Sequence, residues 1–323
     1  MGRHGAVTTF APFARPVTLS VYRQEPMVAE RNVWVSQPWS RAVADRRDGE
    51  RLVLGLALSG GAAHSAASAG VIEVLDAAGI SADVVVGTSG GSVIGAGYAA
   101  GLSPAEISQL VGAARWDKFG QLRPGWRAAI YDPAPTYATL RRRFGDVWVE
   151  DLPRQFGALA YDMRARRSVL LTSGPLVTVL RASTAVPLLF PPAYVEGRPL
   201  GDGSIVSGLP AWAARDLGAT FVIGVGFGWE EHPESWWSRT RRAALHAPDR
   251  EAEVPDLLIQ PAIRSYHRWR TVDLPQIIEA GRAAARAALP EIRARLDSGV
   301  GDSGVGDSEA GDSEAAGSGG PGN

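Results

Sequence analysis

The residues best suited to chemistry lie in two turns that are rich in glycine and serine. The first runs from Ser59 to Ser65, and the second is the G-x-S-x-G sequence Gly87-Thr88-Ser89-Gly90-Gly91. Each turn follows a short apolar run that is suited to a buried strand, and each precedes a segment with the spacing of a helix. A serine between a strand and a helix in this motif is typical of a nucleophile elbow. The second turn therefore predicts Ser89 as a nucleophile.

The glycines around Ser89 have a physical reason to be there. A side chain at Gly87, Gly90 or Gly91 would collide with neighbouring backbone in so sharp a turn. The turn also directs the N–H groups at the start of the next helix towards the nucleophile, where they favour a developing anion. A glycine-rich turn that carries a serine by chance is the alternative, and the strand and helix on either side argue against it.

The first turn offers backbone N–H groups at Gly60, Gly61 and Ala62. Its sequence lacks the G-x-G-x-x-G spacing of a dinucleotide loop and the G-K-[ST] ending of a P-loop. We therefore predict that these three residues form an oxyanion hole for the nucleophile about 25 residues later.

The elements that must position these turns alternate between strand and helix patterns. Apolar runs at 52–58, 84–86, 158–161, 168–172, 221–225 and 257–260 predict strands, and the intervening helical patterns end with a helix from Leu274 to about Leu289. This alternation predicts an α/β fold of three α/β/α layers around a mainly parallel central sheet. Functional residues are then expected at the carboxyl ends of the strands. Asp202 is expected in a loop.

Four blocks of the sequence resemble the patatin-like phospholipases, in particular the bacterial branch related to neuropathy target esterase. They are LALSGGAAHSAASAGVIEVL at 56–75, GTSGGSVIGAGYAAG at 87–101, SGPLVTVLRASTAVPLLFPP at 173–192 and GDGSIVSGLP at 201–210. They occur in the order of that family, and the resemblance covers roughly residues 52–289. It implies a serine acyl hydrolase, with an acyl ester or phospholipid as substrate.

The resemblance also implies a Ser/Asp dyad in which Asp202, flanked by Gly203 and Ser204, is the base for Ser89. The carboxylate would accept the hydroxyl proton during attack and return a proton to the leaving alcohol. The chain departs from the family pattern at Ser204 and in the first turn. Ala62, His64 and Ser65 there replace a glycine, an arginine and a glycine.

Three other functions remain open at this point. A conventional α/β-hydrolase triad would add His232, His246 or His267 to Ser89 and Asp202. A catalytically weakened chain would bind acyl groups or a partner protein instead of cleaving esters. An acyltransferase would release the acyl group to an alcohol or thiol instead of water.

Composition limits the remaining classes of function. Lys and Arg total 33 against 34 acids, so the chain has no overall basic field and nucleic acid is not an expected partner. There is no cysteine, and the histidines lack metal-ligand spacing, so neither a metal nor a cofactor is expected. A cytoplasmic location is expected, because no signal peptide is evident.

The chain is predicted to consist of an extension at 1–48, a catalytic domain at 49–292 and a Gly/Ser/Asp-rich tail at 293–323. A cluster of tryptophans and arginines after the fifth predicted strand suggests peripheral membrane contact. An ordinary exposed or partner-facing loop is the other interpretation. The cluster comprises Trp229, Trp236, Trp237, Arg239, Arg241 and Arg242.

Overall fold

The structure is a computed structural model, and it describes residues 52–112, 121–122, 131–228 and 254–297. The predicted extension at 1–48, the tryptophan and arginine cluster at 229–242 and the tail from residue 298 onward lie outside the described residues. His232 and His246 also lie outside them.

The described strands form one large mixed sheet and one short two-stranded ribbon. The strands are β1 Leu54–Leu58, β2 Val84–Thr88, β3 Gln121–Leu122, β4 Tyr131–Asp132, β5 Gln155–Asp162, β6 Arg167–Leu171, β7 Ala193–Val195, β8 Arg198–Asp202, β9 Phe221–Val225 and β10 Leu257–Ile259.

Seven α-helices are described along the chain, together with short 3-10 turns. The helices are α1 Ala67–Ala77, α2 Gly90–Ala99, α3 Pro104–Gly112, α4 Ala134–Phe144, α5 Leu176–Ser183, α6 Ala211–Asp216 and α7 Leu274–Asp297. The 3-10 turns are Ala62–Ala66, Val149–Asp151, Gly203–Ile205 and Thr271–Asp273.

The large sheet has eight strands in the order β10-β9-β1-β2-β5-β8-β7, with β6 pairing with β5. Within it four pairings are parallel and three are antiparallel. The parallel half comprises β10, β9, β1, β2 and β5, so the carboxyl ends of these strands share one edge.

Alternating residues of the central strands point into separate hydrophobic clusters on the two faces of the sheet. Leu56, Val85 and Ile223 belong to the larger cluster, which also contains the buried residues of α1, α2 and α7. Ala57 and Val222 belong to the smaller cluster, together with the buried residues of α6. Helices therefore cover both faces, and the predicted three-layer α/β/α architecture with a mainly parallel sheet is confirmed.

The long last helix packs tightly against α1 through two glycines. A Cβ atom on Gly281 would collide with the carbonyl oxygen of Ala67, and one on Gly70 would collide with that of Ile278. Only glycine allows the two helix backbones to approach this closely. The contact anchors α7 beside the first strand-to-helix connection, which contains the predicted oxyanion loop.

The structure differs from the sequence-based expectation in two places. Asp202 does not lie in a loop, because it ends strand β8 of an antiparallel hairpin with β7. Helix α7 does not stop near Leu289 but continues through Pro290 to Asp297. Its apolar stripe continues as well, since Ile292 is fully buried in the larger cluster. This burial offsets the backbone hydrogen bond that proline removes.

No helix in the described segments combines the length and the apolarity needed to cross a lipid bilayer.

Candidate active site

Strand β5 brings the two candidate catalytic side chains together. Its first residues pair with β2, up to Thr88 opposite Leu159, and its next residues pair with β8, beginning with Ala160 opposite Asp202. Strand β6 pairs with residues 158–162 of β5 and thereby occupies the other edge. Strands β2 and β8 therefore follow one another along the same edge of β5. Ser89, the residue after β2, must consequently lie beside Asp202.

The turn around Ser89 has the strained geometry that a nucleophile elbow requires. Ser89 has φ 51° and ψ −124°, which places a non-glycine residue in an unfavourable region of backbone space. A Cβ atom on Gly87 would lie 2.6 Å from the backbone of Gly91, and one on Gly91 would collide with the carbonyl oxygen of Leu58. Ser89 is also the N-cap of α2, so the positive end of that helix begins at the serine.

The side chains of Ser89 and Asp202 are in direct contact. The Ser89 hydroxyl donates a hydrogen bond to Oδ2 of Asp202 over 2.6 Å. Both residues are buried, with Asp202 fully so and Ser89 7% exposed. Burial raises the pKa of Asp202, and hydrogen bonds from Ser89 and Ser204 partly oppose that rise because they favour the carboxylate. The carboxylate is thus in reach of the hydroxyl proton and is a stronger base than an exposed aspartate.

Ser204 holds the other oxygen of the same carboxylate. Its hydroxyl and its backbone N–H both donate to Oδ1 of Asp202, over 2.7 Å and 2.8 Å. Residue 203, between Asp202 and Ser204, must be glycine, because a Cβ atom there would collide with the carbonyl oxygen of Leu159. The two carboxylate oxygens therefore have separate partners, Ser204 on Oδ1 and Ser89 on Oδ2.

Ser183, at the end of α5, was not predicted to have a role at this site. Its hydroxyl accepts a hydrogen bond from the Ser89 backbone N–H over 3.0 Å and donates one to the Leu159 carbonyl over 2.7 Å. It thus ties the strained elbow to β5. The only signal in the sequence is its place in the RAST segment at 181–184, where its residue type did not distinguish it from other helix-end serines.

The predicted oxyanion loop lies beside Ser89, but its three residues are not equivalent. The Gly60 N–H donates to the Gly208 carbonyl over 3.0 Å, so it is engaged in the fold. Gly60 instead permits close approach, because a Cβ atom there would lie 3.1 Å from Cβ of Ser89. Gly61 and Ala62 begin the 3-10 turn Ala62–Ala66, at an end whose N–H groups have no partner within the turn. Those two residues are the remaining candidate donors.

Ala62 adopts the backbone conformation that a glycine would favour at this position. Its φ is 54°, in the left-handed region. An alanine there costs about 1 kcal/mol relative to glycine. The loop therefore keeps a glycine-like shape although its sequence departs from the family pattern at this residue.

His64 does not contact either candidate catalytic side chain. It is buried, and its Nε2–H donates to the Tyr266 carbonyl over 2.7 Å. Burial is the main cause that lowers the pKa of His64, with the hydrogen bond to Tyr266 opposing it. A neutral imidazole therefore anchors the first turn to the segment before α7.

The described segments contain neither a histidine bonded to the candidate catalytic residues nor a metal site. His267 is exposed, and its Nδ1 accepts a hydrogen bond from the Trp269 backbone. Among the described residues, neither Ser89 nor Asp202 has an imidazole partner. No group of three or more His, Cys, Asp or Glu residues there has a geometry suited to a metal ion.

Comparison with known proteins gives consistent matches over this site. The family model described as "Patatin-like phospholipase" matches residues 56–215. A lysophospholipase, nte1, of Aspergillus fumigatus is 35% identical over 185 residues, which cover 54% of this chain and 12% of that protein. A patatin-like phospholipase domain-containing protein of Caenorhabditis elegans is 33% identical over 186 residues, which cover 54% of this chain and 14% of that protein.

The chain spans only a small part of the length of these relatives. The matched family segment contains both turns, together with Asp202 and its neighbours Gly203 and Ser204. The sheet described above also has the architecture implied by the family resemblance. Residues 56–215 of the chain therefore form a domain of the patatin-like phospholipase family.

Proposed function

We propose that this chain is a serine acyl hydrolase that cleaves acyl esters of lipids, with Ser89 as nucleophile and Asp202 as general base. The observation that carries the proposal is the direct hydrogen bond of 2.6 Å between the Ser89 hydroxyl and Oδ2 of Asp202. The matches to the patatin-like family and to a lysophospholipase supply the substrate class. The catalytic domain would span the predicted 49–292 and continue through α7 to Asp297.

In the first half-reaction, the Ser89 oxygen attacks the ester carbonyl carbon while its proton moves to Oδ2 of Asp202. The contact distance is that of a short hydrogen bond to a carboxylate, so no intermediate proton carrier is needed. As the tetrahedral intermediate collapses, Asp202 returns the proton to the leaving alcohol oxygen. The acyl group remains on Ser89 as an ester.

The negative charge on the former carbonyl oxygen would be stabilised by the N–H groups of Gly61 and Ala62. The start of the 3-10 turn beside the elbow supports this role. The N-terminus of α2, which begins at Ser89, adds a favourable potential. One donor of this kind contributes roughly 3–4 kcal/mol in other hydrolases.

In the second half-reaction, water takes the place of the alcohol. Asp202 removes a proton from the water as it attacks the acyl-Ser89 carbonyl, and Ser89 leaves with that proton as the carboxylic acid is released. An acyltransferase would differ only in using an alcohol or thiol here. Product analysis separates the two, because hydrolysis yields free acid in the absence of any other acceptor.

A triad mechanism is less well supported than the dyad. The Ser89 hydroxyl contacts Oδ2 of Asp202 directly, so no imidazole bridges the two side chains as it would in a triad. The two described histidines, His64 and His267, make their hydrogen bonds elsewhere. Replacing His232, His246 and His267 singly should leave hydrolysis within a few-fold of wild type.

The proposal is tested with a panel of esters, from p-nitrophenyl butyrate through lysophosphatidylcholine to phosphatidylcholine. We expect wild type to hydrolyse members of the panel, and Ser89→Ala and Asp202→Asn each to lose at least roughly a thousandfold in kcat/KM. Ser108→Ala is a matched control, because Ser108 is a serine on α3 whose hydroxyl donates to Glu73 and not to Asp202.

A fluorophosphonate probe separates a weakened enzyme from a non-catalytic protein. The probe should label wild type and Ser108→Ala but not Ser89→Ala. Absence of labelling and of hydrolysis in wild type would instead favour a lipid-binding or regulatory chain.

A further inference from the structure

An exposed row of side chains crosses strands β5, β8 and β7 close to the active-site edge. Asp162, Leu200 and Ala193 lie opposite one another across the three strands, and all three are buried. The next row contains Tyr194 opposite Pro199, and Met163 donates its N–H to the Pro199 carbonyl over 3.0 Å. Adjacent rows of a sheet face opposite sides, so this row points away from the larger core.

The side chains of this row are apolar and unusually accessible. Met163 is 41% exposed and Tyr194 is 59% exposed, whereas their neighbours Asp162 and Ala193 are each 1% exposed. Pro199 between them is half-buried. A thioether, a prolyl ring and a phenol thus form one continuous apolar strip. Tyrosine is well suited to the boundary between water and lipid, because its ring is apolar and its hydroxyl is polar.

A basic turn adjoins this strip. Residues 163–166 connect β5 to β6, and Arg167 is the first residue of β6. All five residues, with the sequence MRARR, are exposed. The only acid at the turn is Asp162, which is buried and accepts the backbone N–H groups of Arg164 and Ala165 over 2.9 Å and 2.8 Å. Arg164 and Arg167 make no ion pair in the described part of the chain. The carboxylate of Asp162 therefore holds the backbone of the turn, and the exposed Arg164 and Arg167 lie at its two ends.

The strip and the turn lie near the catalytic pair. Met163 follows the carboxyl end of β5, which is parallel to β2 and ends at the same edge as the Ser89 elbow. Pro199 and Asp202 are three residues apart on β8, which corresponds to about 10 Å along a strand. A lipid surface in contact with this strip would therefore lie close to Ser89, where the lipid ester must bind.

We propose that Met163, Tyr194, Arg164 and Arg167 form a docking surface for a membrane rich in anionic phospholipid. The apolar strip would enter the headgroup region while Arg164 and Arg167 meet phosphate groups. Charge complementarity decides the occupant, because Arg164 and Arg167 have no exposed acid in their turn and match an anionic lipid surface. The exposed Glu196 of the neighbouring β7–β8 turn is paired with Arg198. This inference rests on the proposed function for its lipid substrate.

The test measures sedimentation of the full chain with vesicles of phosphatidylcholine alone or mixed with phosphatidylglycerol. The chain carries Ser89→Ala, so that vesicles stay intact. We expect binding to the anionic vesicles that weakens at high salt. Each arginine near an anionic surface changes the partition coefficient of the chain onto vesicles about fivefold. The double substitution Arg164→Gln with Arg167→Gln should therefore lower that coefficient roughly 30-fold. Tyr194→Ser with Met163→Ser should lower it roughly tenfold.

Matched controls come from exposed positions on other elements. Arg293→Gln on α7 and Val272→Ser before it remove a charge and an exposed apolar side chain away from the docking surface. Both should bind vesicles as well as the parent chain. Equal loss in the controls, no binding by the parent chain, or unchanged binding by the docking-surface variants would overturn the proposal.

Two further measurements separate the other outcomes. With Ser89 restored, the docking-surface variants should hydrolyse p-nitrophenyl butyrate at the wild-type rate, which shows that they fold. If that ester is hydrolysed and vesicles are not bound, the docking surface fails and the proposed function stands. A dimer in sedimentation velocity that Tyr194→Ser abolishes would show that a second copy of the chain occupies the strip, and would overturn the membrane assignment.

Discussion

At the scale of single residues, Ser204 distinguishes this site from the family pattern in which a glycine or an alanine follows Asp-Gly. Its hydroxyl and backbone N–H both donate to Oδ1 of Asp202, which fixes the carboxylate plane and leaves Oδ2 to Ser89. Alanine would preserve the N–H donor and remove the hydroxyl. Ser204 is therefore a positioning residue, and one substitution isolates its effect.

We expect Ser204→Ala to move the acid limb of the kcat/KM profile to higher pH. The Ser204 hydrogen bonds lower the pKa of Asp202 against the larger effect of burial, so removing one of them raises that pKa further. Asp202 must be ionised to act as a base, hence the variant should lose activity first at acidic pH, by at least about threefold there. At alkaline pH, where the carboxylate is ionised in both proteins, the difference should shrink.

Ser207→Ala is the control for this measurement. Ser207 is a buried serine in the same loop, but its hydroxyl donates to the Leu209 carbonyl and has no contact with Asp202. Its pH profile should keep the wild-type shape. If Ser204→Ala lowers kcat/KM by the same factor at every pH, Ser204 affects geometry alone and does not influence the titration of Asp202.

At the scale of secondary-structure elements, helix α5 supports the strained elbow through Ser183. One hydroxyl joins the Ser89 N–H to the Leu159 carbonyl, so α5, the elbow and β5 are tied at one point. In Ser183→Ala, the Ser89 N–H and the Leu159 carbonyl would both lose their hydrogen bond to the Ser183 hydroxyl. The backbone of Ser89, with its positive φ, would then be held less firmly. We expect kcat to fall roughly ten- to a hundredfold with little change in KM.

Thr184→Val tests whether the loss of kcat is specific to the hydrogen bonds of Ser183. Thr184 is the next residue, but its hydroxyl donates to the Leu180 carbonyl of its own helix. Its loss should change the melting temperature more than kcat. If both variants lose kcat equally, α5 stabilises the domain in general and Ser183 has no special part in holding the elbow.

The elements themselves were predictable to different degrees. Strands β1, β2 and β9 were found from their apolar runs, because strands buried on both faces carry continuous hydrophobic sequence. The hairpin of β7 and β8 was missed, since its strands are short and include Pro199 and Gly201, which are unfavourable in strands. Tertiary pairing with β5 overrides those local preferences.

The site was predictable where a residue type and a motif carry the chemistry. Ser89 stands in a recognisable motif, and Asp202 was identified through the family resemblance and not from its local pattern. What sequence could not supply was the contact between them, because it depends on β2 and β8 pairing with consecutive residues of β5. Ser183 was missed for a similar reason, since its role arises from a contact 94 residues away.

At the scale of the whole molecule, the buried carboxylate sets a relation between activity and stability. Asp202 is fully buried, and the burial raises its pKa in the folded chain above the value of an unfolded aspartate. The folded state therefore holds a proton on Asp202 more tightly than the unfolded state does. The resulting stabilisation is complete below the unfolded pKa and is lost as the pH rises through the folded pKa.

The substitution Asp202→Asn should therefore abolish hydrolysis and yet raise the melting temperature at neutral and alkaline pH. Asparagine has a similar shape and does not ionise, so it avoids burying a charge. A gain of ~1 kcal/mol would raise Tm by roughly 2–4 °C in a domain of this size, and the gain should vanish towards acidic pH. Ser89→Ala, equally inactive, keeps the buried carboxylate and removes one of its hydrogen bonds, so its Tm should fall. Thermal unfolding followed by circular dichroism across the pH range distinguishes the two. A lower Tm for Asp202→Asn at alkaline pH would mean that the hydrogen bonds of the carboxylate outweigh the cost of its burial.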